Sequence, residues 1–443
     1  MQIFQIILAL SILVLIHELG HFTFARIFGI RVDKFFLFFD AGGVKLFSTK
    51  SRWFLKLCPK AAQWETEYGL GWLPLGGYCK VNGMIDESMD TDFVKTEPKP
   101  WEFRSKKPWQ RLLVMSGGVL FNFILGIILY SFILFQWGEA YYPSEGNCIY
   151  VHENSLAAEM GFRTGDAILE MDGDKPREFH MMQIKLARDM VEKVSVARES
   201  DTTDIYIDQN LISRVLNTPS LFDMAIPFVI QGVTAESLNL QSGLQAGDRV
   251  VSLDSTSITF VQDAFPLLQS KAGQQVDAVI QRDTVLLNMT LNVDQNGNIG
   301  VALQSPRAEI FKYSALESIP AGCRKAYNSI VGQIKDLRLL AKPSTGAYKS
   351  VGSIIAITDA MPTVWNWGIF LNILAMISIV LGVMNLLPIP ALDGGHIVFT
   401  LYEMITGRKP SDKFLYIMQL IGMFLIFALM FLAFGNDISR LLK

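Results

Sequence analysis

Residues 8–30 read LALSILVLIHELGHFTFARIFGI, an apolar run long enough to cross a membrane that nevertheless carries His17, Glu18 and His21. The hydrocarbon core of a bilayer takes roughly 20 helical residues. An ionisable side chain inside it is costly unless it faces protein, finds a partner or serves a function. Residues four apart share one face of a helix, so both imidazoles can turn a ring nitrogen toward a single metal ion. This is the H-E-x-x-H pattern, in which two histidines bind Zn2+ and the glutamate beside them acts as general base. The chain has only five histidines, and two of them fall within this one turn.

The surroundings are those of a membrane protein. Of 443 residues, half are hydrophobic and 18% are charged, against about 25% charged in an ordinary soluble domain. Four stretches are long and apolar enough to span, near 3–25, 112–137, 368–387 and 414–434. The first has no basic leader and no small-residue cleavage pattern after it, so it reads as retained rather than as a signal peptide. Net charge is −3, which supplies no basic field and excludes nucleic acid as a partner. Basic residues flank the spans unevenly. Arg26, Arg31 and Lys34 follow the first, Arg104, Lys106, Lys107 and Arg111 precede the second, and Arg408, Lys409 and Lys413 separate the last two. Those loops are therefore expected on the cytoplasmic side, and both chain ends with the segment from about 139 to 365 on the other. Cys58, Cys79, Cys148 and Cys323 lack C-x-x-C spacing and read as unpaired.

A catalytic zinc site has three protein ligands and one open position, so a third ligand is expected from another span at similar depth. Asp393, in MNLLPIPALDGGHIVFT (384–400), is the best candidate. His396 competes but, three residues further on, is expected to point elsewhere; capping of the following helix is the structural alternative for Asp393. Asn385, about two turns earlier, suits a contact to a substrate backbone or oxyanion, and equally a hydrogen bond between spans. Asn122 in the second span has the same two readings. The segment EYGLGWLPLGGYCKV (67–81), with Gly76 and Gly77, alternates glycine with aromatic and apolar residues. It is expected to offer a strand edge that captures an extended peptide, as a re-entrant hairpin dipping into the membrane where protein covers its backbone.

Between the second and third spans lies a repeat. VHENSLAAEMGFRTGDAILEMDG (151–173) matches VTAESLNLQSGLQAGDRVVSLDS (233–255), with Gly161, Gly165, Asp166 and Asp172 opposite Gly243, Gly247, Asp248 and Asp254. Each copy reads as a short helix, a glycine-bounded turn and an alternating strand, and the pattern resembles bacterial PDZ domains. Residues 313–343 have apolar positions at near-helical spacing with basic residues among them. This predicts an amphipathic helix lying on the membrane surface or packed on the repeats. The chain thus divides into 1–137 with two spans, the histidine motif and the hairpin; 138–222 and 223–308 as two PDZ domains; 309–366 as an extracytoplasmic helical linker; and 367–443 with two spans and the Asp393 motif. The expected fold is a polytopic α-helical membrane protein with about four transmembrane helices, a re-entrant β-hairpin and two extracytoplasmic α+β PDZ domains.

HELGH (17–21), NLLPIPALDGG (385–395) and GLGWLPLGGYCKV (69–81), together with the order of elements, resemble the intramembrane site-2 metalloproteases, in the RseP-type branch with tandem PDZ domains. The likeness covers nearly the whole chain. It implies that His17, His21 and Asp393 bind zinc and that Glu18 is the catalytic base. It also matches that family's G-x-x-x-N pattern to Gly118 and Asn122, and implies a substrate-binding role for the strand bearing Gly76 and Gly77. The insert from Thr49 to Trp64 and the acidic stretch 86–92 depart from the pattern. The implied function is intramembrane hydrolysis of peptide bonds in single-span proteins, such as an anti-sigma factor after a first cleavage or remnant signal peptides. The implied location is the bacterial inner membrane, with the active site near the cytoplasmic side and the PDZ pair in the periplasm, gating access or recruiting a newly cut C-terminus. Two other readings differ in what they predict: a non-enzymatic PDZ scaffold would hold no stoichiometric zinc, and a metal transporter would leave Glu18 without a role.

Overall fold

A computed structural model of the protein describes residues 1–84, 97–199, 201–304, 306, 308–350, 352 and 354–441; the acidic stretch 86–92 lies outside them. The chain forms two units, 1–138 with 312–341 and 348–443, and 139–311 with 342–347.

The first unit contains helices α1 (Gln2–Ile27), α2 (Pro108–Trp137), α3 (Ala315–Leu340), α4 (Trp367–Leu386), α5 (Asp393–Thr406) and α6 (Asp412–Leu441). Of these, α1, α2, α4 and α6 are long and apolar enough to cross a membrane. They fall on the four stretches expected, with ends shifted by a few residues. In lipid, apolar surface alone does not hold helices together, and small residues that let backbones approach do. Thus a Cβ on Gly20 of α1 would stand 2.2 Å from the Gly117 carbonyl oxygen of α2, and one on Gly117 would stand 2.6 Å from that of Gly20. Further along, Ile6, Ala9 and Leu13 of α1 pack with Phe370, Leu374 and Ile377 of α4.

Helix α3 is amphipathic as its pattern predicts, and opens with a capping box in which Ser314 and Glu317 accept each other's backbone N–H. It packs along α2, because its small residues form a stripe: Gly322 sits against Ser131, Ala326 is buried beside Tyr130, and Ser329 pairs with the Tyr130 hydroxyl at 3.3 Å.

The segment between α1 and α2 folds as a sheet of β1 (Val32–Phe39), β2 (Lys45–Ser48), β3 (Glu67–Gly71) and β4 (Leu73–Val81), in the order β2-β3-β1-β4. This corrects one expectation. Although β3 and β4 are joined at Trp72, they are not a hairpin: β1 lies between them, parallel to β3 and antiparallel to β4. The apolar faces of Phe35, Phe36 and Tyr78 account for the insertion, since Phe36 stacks on Tyr78 and Phe35 packs at a tilt against Tyr68. β4 is left at the edge of the sheet, with Gly77 packed against Val14 of α1.

The second unit has two cores. Ile149, Met171, Leu186, Val194 and Ile212 centre the first; Val250, Leu253, Ile280 and Leu291 centre the second. The repeat seen in the sequence is matched in side-chain detail. Arg198 makes a two-nitrogen contact to the Asp166 carboxylate and donates to the Gly161 carbonyl; Arg282 does the same to Asp248 and Gly243. The Arg282 guanidinium holds the Asp248 carboxyl below the usual carboxylate range.

One buried ion pair ties α5 to α2. Arg111 Nη2 donates to Glu403 Oε1, and the two side chains are 8% and 15% exposed. Removing one partner of such a pair costs about 3–5 kcal/mol, because the other stays buried and unpaired. Arg111→Leu is therefore expected to lower the melting temperature of the detergent-solubilised protein clearly, and Arg111→Leu with Glu403→Leu to regain most of the loss. Unchanged melting in the single variant would mean that the pair does not hold α5.

Candidate metal centre

His17 and His21 lie one turn apart on α1, with α2 directly behind them. Gly118 makes this possible: a Cβ there would stand 2.5 Å from both His17 Cε1 and His21 Nε2. His21 Nδ1 is 2.9 Å from the Val114 carbonyl oxygen. A carbonyl only accepts, so Nδ1 carries the proton and the Nε2 lone pair is left for another partner.

Asp393 arrives from the break that ends α4. Pro388 and Pro390 lack an N–H and cannot continue a helix, and between them and α5 Ala391 adopts φ +80°, a conformation that L-residues other than glycine rarely hold. The two glycines that follow are a packing requirement: a Cβ on Gly394 would stand 2.0 Å from the Leu387 carbonyl oxygen, and on Gly395 2.7 Å from that of Ile389. Asp393 is the first residue of α5. The N-cap position belongs to Leu392, with no side-chain bond, so the carboxylate does not cap its helix and is turned toward the histidines.

The three ligand atoms form a nearly equilateral triangle. His17 Nε2 and His21 Nε2 are 3.2 Å apart, and Asp393 Oδ2 is 3.2 Å from the first and 3.3 Å from the second. All three side chains are mostly buried, and Oδ2 makes no hydrogen bond despite its burial. Among the described residues this is the group of three that can hold a metal ion. Around a tetrahedral ion with bonds of about 2.0–2.1 Å, neighbouring ligand atoms stand about 3.3–3.4 Å apart. Two imidazole nitrogens and one carboxylate oxygen at this spacing fit zinc.

Glu18 lines the same cavity as the triangle. Asn385 Nδ2 is 3.4 Å from His17 Nε2. Asn122, fully buried, stands with Nδ2 3.1 Å from His17 Nδ1, while its Oδ1 has no partner. The two ends of a carboxamide have the same shape. Turned end for end, Oδ1 accepts the proton of His17 Nδ1, the orphaned oxygen is satisfied, and His17 presents a bare Nε2 as His21 does. Gly76 and Gly77 lie on β4 against Phe39, Phe36 and Val14; the β4 residues that line the cavity are Tyr78, Cys79 and Val81. His396 also lines it, contrary to the expectation that it points elsewhere, but is not one of the three converging ligands. Sequence reasoning missed Tyr78, Cys79, Met115 and Gln419; only Gln419 carried a signal, as a lone amide in an apolar helix.

Comparison with known proteins gives the chain a family. The profile of peptidase family M50 matches residues 5–429. The chain is similar to the regulator of sigma E protease of Haemophilus influenzae, 29% identical over 469 residues. It is 27% identical over 466 residues to the regulator of sigma-E protease RseP of Escherichia coli. A candidate zinc metalloprotease of Vibrio cholerae is 28% identical over 464 residues. In each case 98% of both chains is covered.

Groups that orient metal-binding histidines typically contribute about 10–100-fold in metal affinity. Asn122→Leu is therefore expected to release zinc to a chelator at lower chelator concentration, by a factor in that range, whereas Asn122→Asp, which keeps an acceptor for the ring N–H, retains it better. Equal zinc retention in Asn122→Leu and the natural protein would remove Asn122 from the centre.

Proposed function

The chain belongs to peptidase family M50 and is a zinc metalloprotease of the membrane, and from that premise we propose that it hydrolyses peptide bonds inside the spanning segments of single-span proteins. The proposal takes His17, His21 and Asp393 as metal ligands and Glu18 as general base. The observation that carries it is the convergence of three ligand atoms beside Glu18, in a cavity among helices long and apolar enough to span.

When bound, zinc supplies a Lewis acid that makes water acidic near neutral pH and draws charge from a carbonyl oxygen. The chain's own residues do the rest. The Glu18 carboxylate takes a proton from the attacking water as its oxygen bonds to the peptide carbon; when the C–N bond breaks, the same carboxyl hands that proton to the leaving amine. The Asn385 carboxamide, beside His17, is a donor suited to the oxygen on which negative charge grows. Val114 and Asn122 keep the imidazoles oriented.

A helical substrate hides its carbonyls in its own hydrogen bonds and has to unwind before it reacts. The edge position of β4, whose Tyr78 and Cys79 face the cavity, supports capture of the unwound segment as an added strand, with Gly76 and Gly77 adjoining it. In this reading the sheet dips into the membrane where α1 covers it. The two repeats, 138–222 and 223–308, act as PDZ domains in the periplasm, the metal centre faces the cytoplasmic side, and the membrane is the bacterial inner membrane, as the basic residues between spans suggest. Relatives named as regulators of sigma E support an anti-sigma protein, already shortened by a first protease, as the substrate. The repeats then exclude substrates that still carry bulky outer domains.

Two measurements test this. Glu18→Gln in the purified protein is expected to keep stoichiometric zinc and to lose cleavage of a single-span substrate by about 100-fold or more, the scale of a lost acid–base group. Undiminished cleavage, or natural protein without zinc, would sink the reading and favour a scaffold. Deleting 151–301 is expected to permit cleavage of an untrimmed substrate; loss of cleavage of the trimmed one would instead assign the repeats to recruitment.

A further inference from the structure

The cavity that holds the triangle has a polar wall residue from α6 for which the function above has no use. Gln419 lies in α6, the fourth candidate span, and is 5% exposed. Its side chain lines the cavity with His17, Glu18 and Asp393. Its carboxamide makes no hydrogen bond to any described residue. Between 414 and 435 it is the only carboxamide, in a helix whose candidate span is just 11% buried. A carboxamide in such a helix has to find a polar partner or lose the hydrogen bonds it makes in water. Gln419 has been turned away from lipid and given none.

The placement is enforced one turn further on. Gly422 lies on the same face as Gln419, and a Cβ there would stand 1.5 Å from the Pro390 carbonyl oxygen. Helix α6 therefore presses its backbone against the break that delivers Asp393, and this contact points Gln419 at the metal centre. An amide oxygen is a poor zinc ligand beside imidazole and carboxylate, and Gln419 is outside the ligand triangle. What a carboxamide matches is an extended peptide, which presents both a carbonyl acceptor and an N–H donor at each residue.

We propose that Gln419 is a substrate-binding residue whose carboxamide hydrogen-bonds the unwound backbone of the bound segment next to the bond that is cut. This rests on the protease reading above. In the purified full-length protein with a single-span substrate, Gln419→Met keeps the length of the side chain and removes both hydrogen-bonding ends. It is expected to lower kcat/KM about ten-fold, the scale of one hydrogen bond, mainly through KM, with zinc content and melting temperature unchanged. Unchanged kcat/KM would overturn the proposal, and so would loss of zinc in step with activity, which would make Gln419 a support of the metal centre. A second measurement does not depend on the stability of that variant. A benzophenone side chain introduced at position 419, in the Glu18→Gln background that holds substrate uncut, is expected to photo-crosslink to substrate residues flanking the cleavage site. Crosslinks only to distant substrate residues, or none, would overturn it. If the natural protein cleaves nothing, the protease reading fails and this inference fails with it; if it cleaves, the Gln419 results decide this inference alone.

Discussion

Two helix backbones meet at Gly20 and Gly117 with no room for a single Cβ between them, and the rest of the membrane unit is built around that contact. Because α2 comes so close, Gly118 lies against both imidazoles, the Val114 carbonyl reaches His21, and Asn122 reaches His17. Buried imidazoles without such partners would be costly at this depth. A side chain at any of the three glycines would have to push the helices apart and withdraw those partners together. The glycines thus set the electronic state of the histidines, although none of them carries a functional group.

The Asp393 side of the centre is made differently. There the backbone is irregular, with two prolines, Ala391 in a left-handed conformation and two glycines folded onto carbonyl oxygens. Irregular backbone at membrane depth is tolerated only where protein covers it. The cover comes from α6 through Gly422, and from the anchoring of α5 to α2 through Arg111 and Glu403. A rigid half bearing two histidines therefore meets a strained half bearing one carboxylate, and the ion pair limits how far the second can drift.

Much of this was legible in the residue string. The spans follow from hydrophobic length, and the triangle from the i,i+4 histidines and the scarcity of acids in the other spans. The repeat was visible through its G-x-x-x-G-D turns, but the arginines that complete each turn, Arg198 and Arg282, come after intervening elements of different length and leave no short pattern. The insertion of β1 between β3 and β4 was not legible because local sequence reports which residues favour strands, while the aromatic stacking that chooses strand neighbours is tertiary. The packing of α3 on α2 was missed for a related reason: a small-residue stripe and a surface-seeking amphipathic pattern look alike until the partner helix is known. His396 was expected to point away by helix geometry alone, which says nothing about how wide the cavity is.

The order of the chain also governs when the centre can exist. His17 and His21 belong to α1, Asp393 to α5, and α6, which presses on the break before Asp393, follows both. During synthesis the first helices can enter the membrane and pair while the triangle still lacks a corner. The ligand set closes only once α5 has followed α1 out of the ribosome, so a chain cut short before Asp393 is disarmed by its own topology.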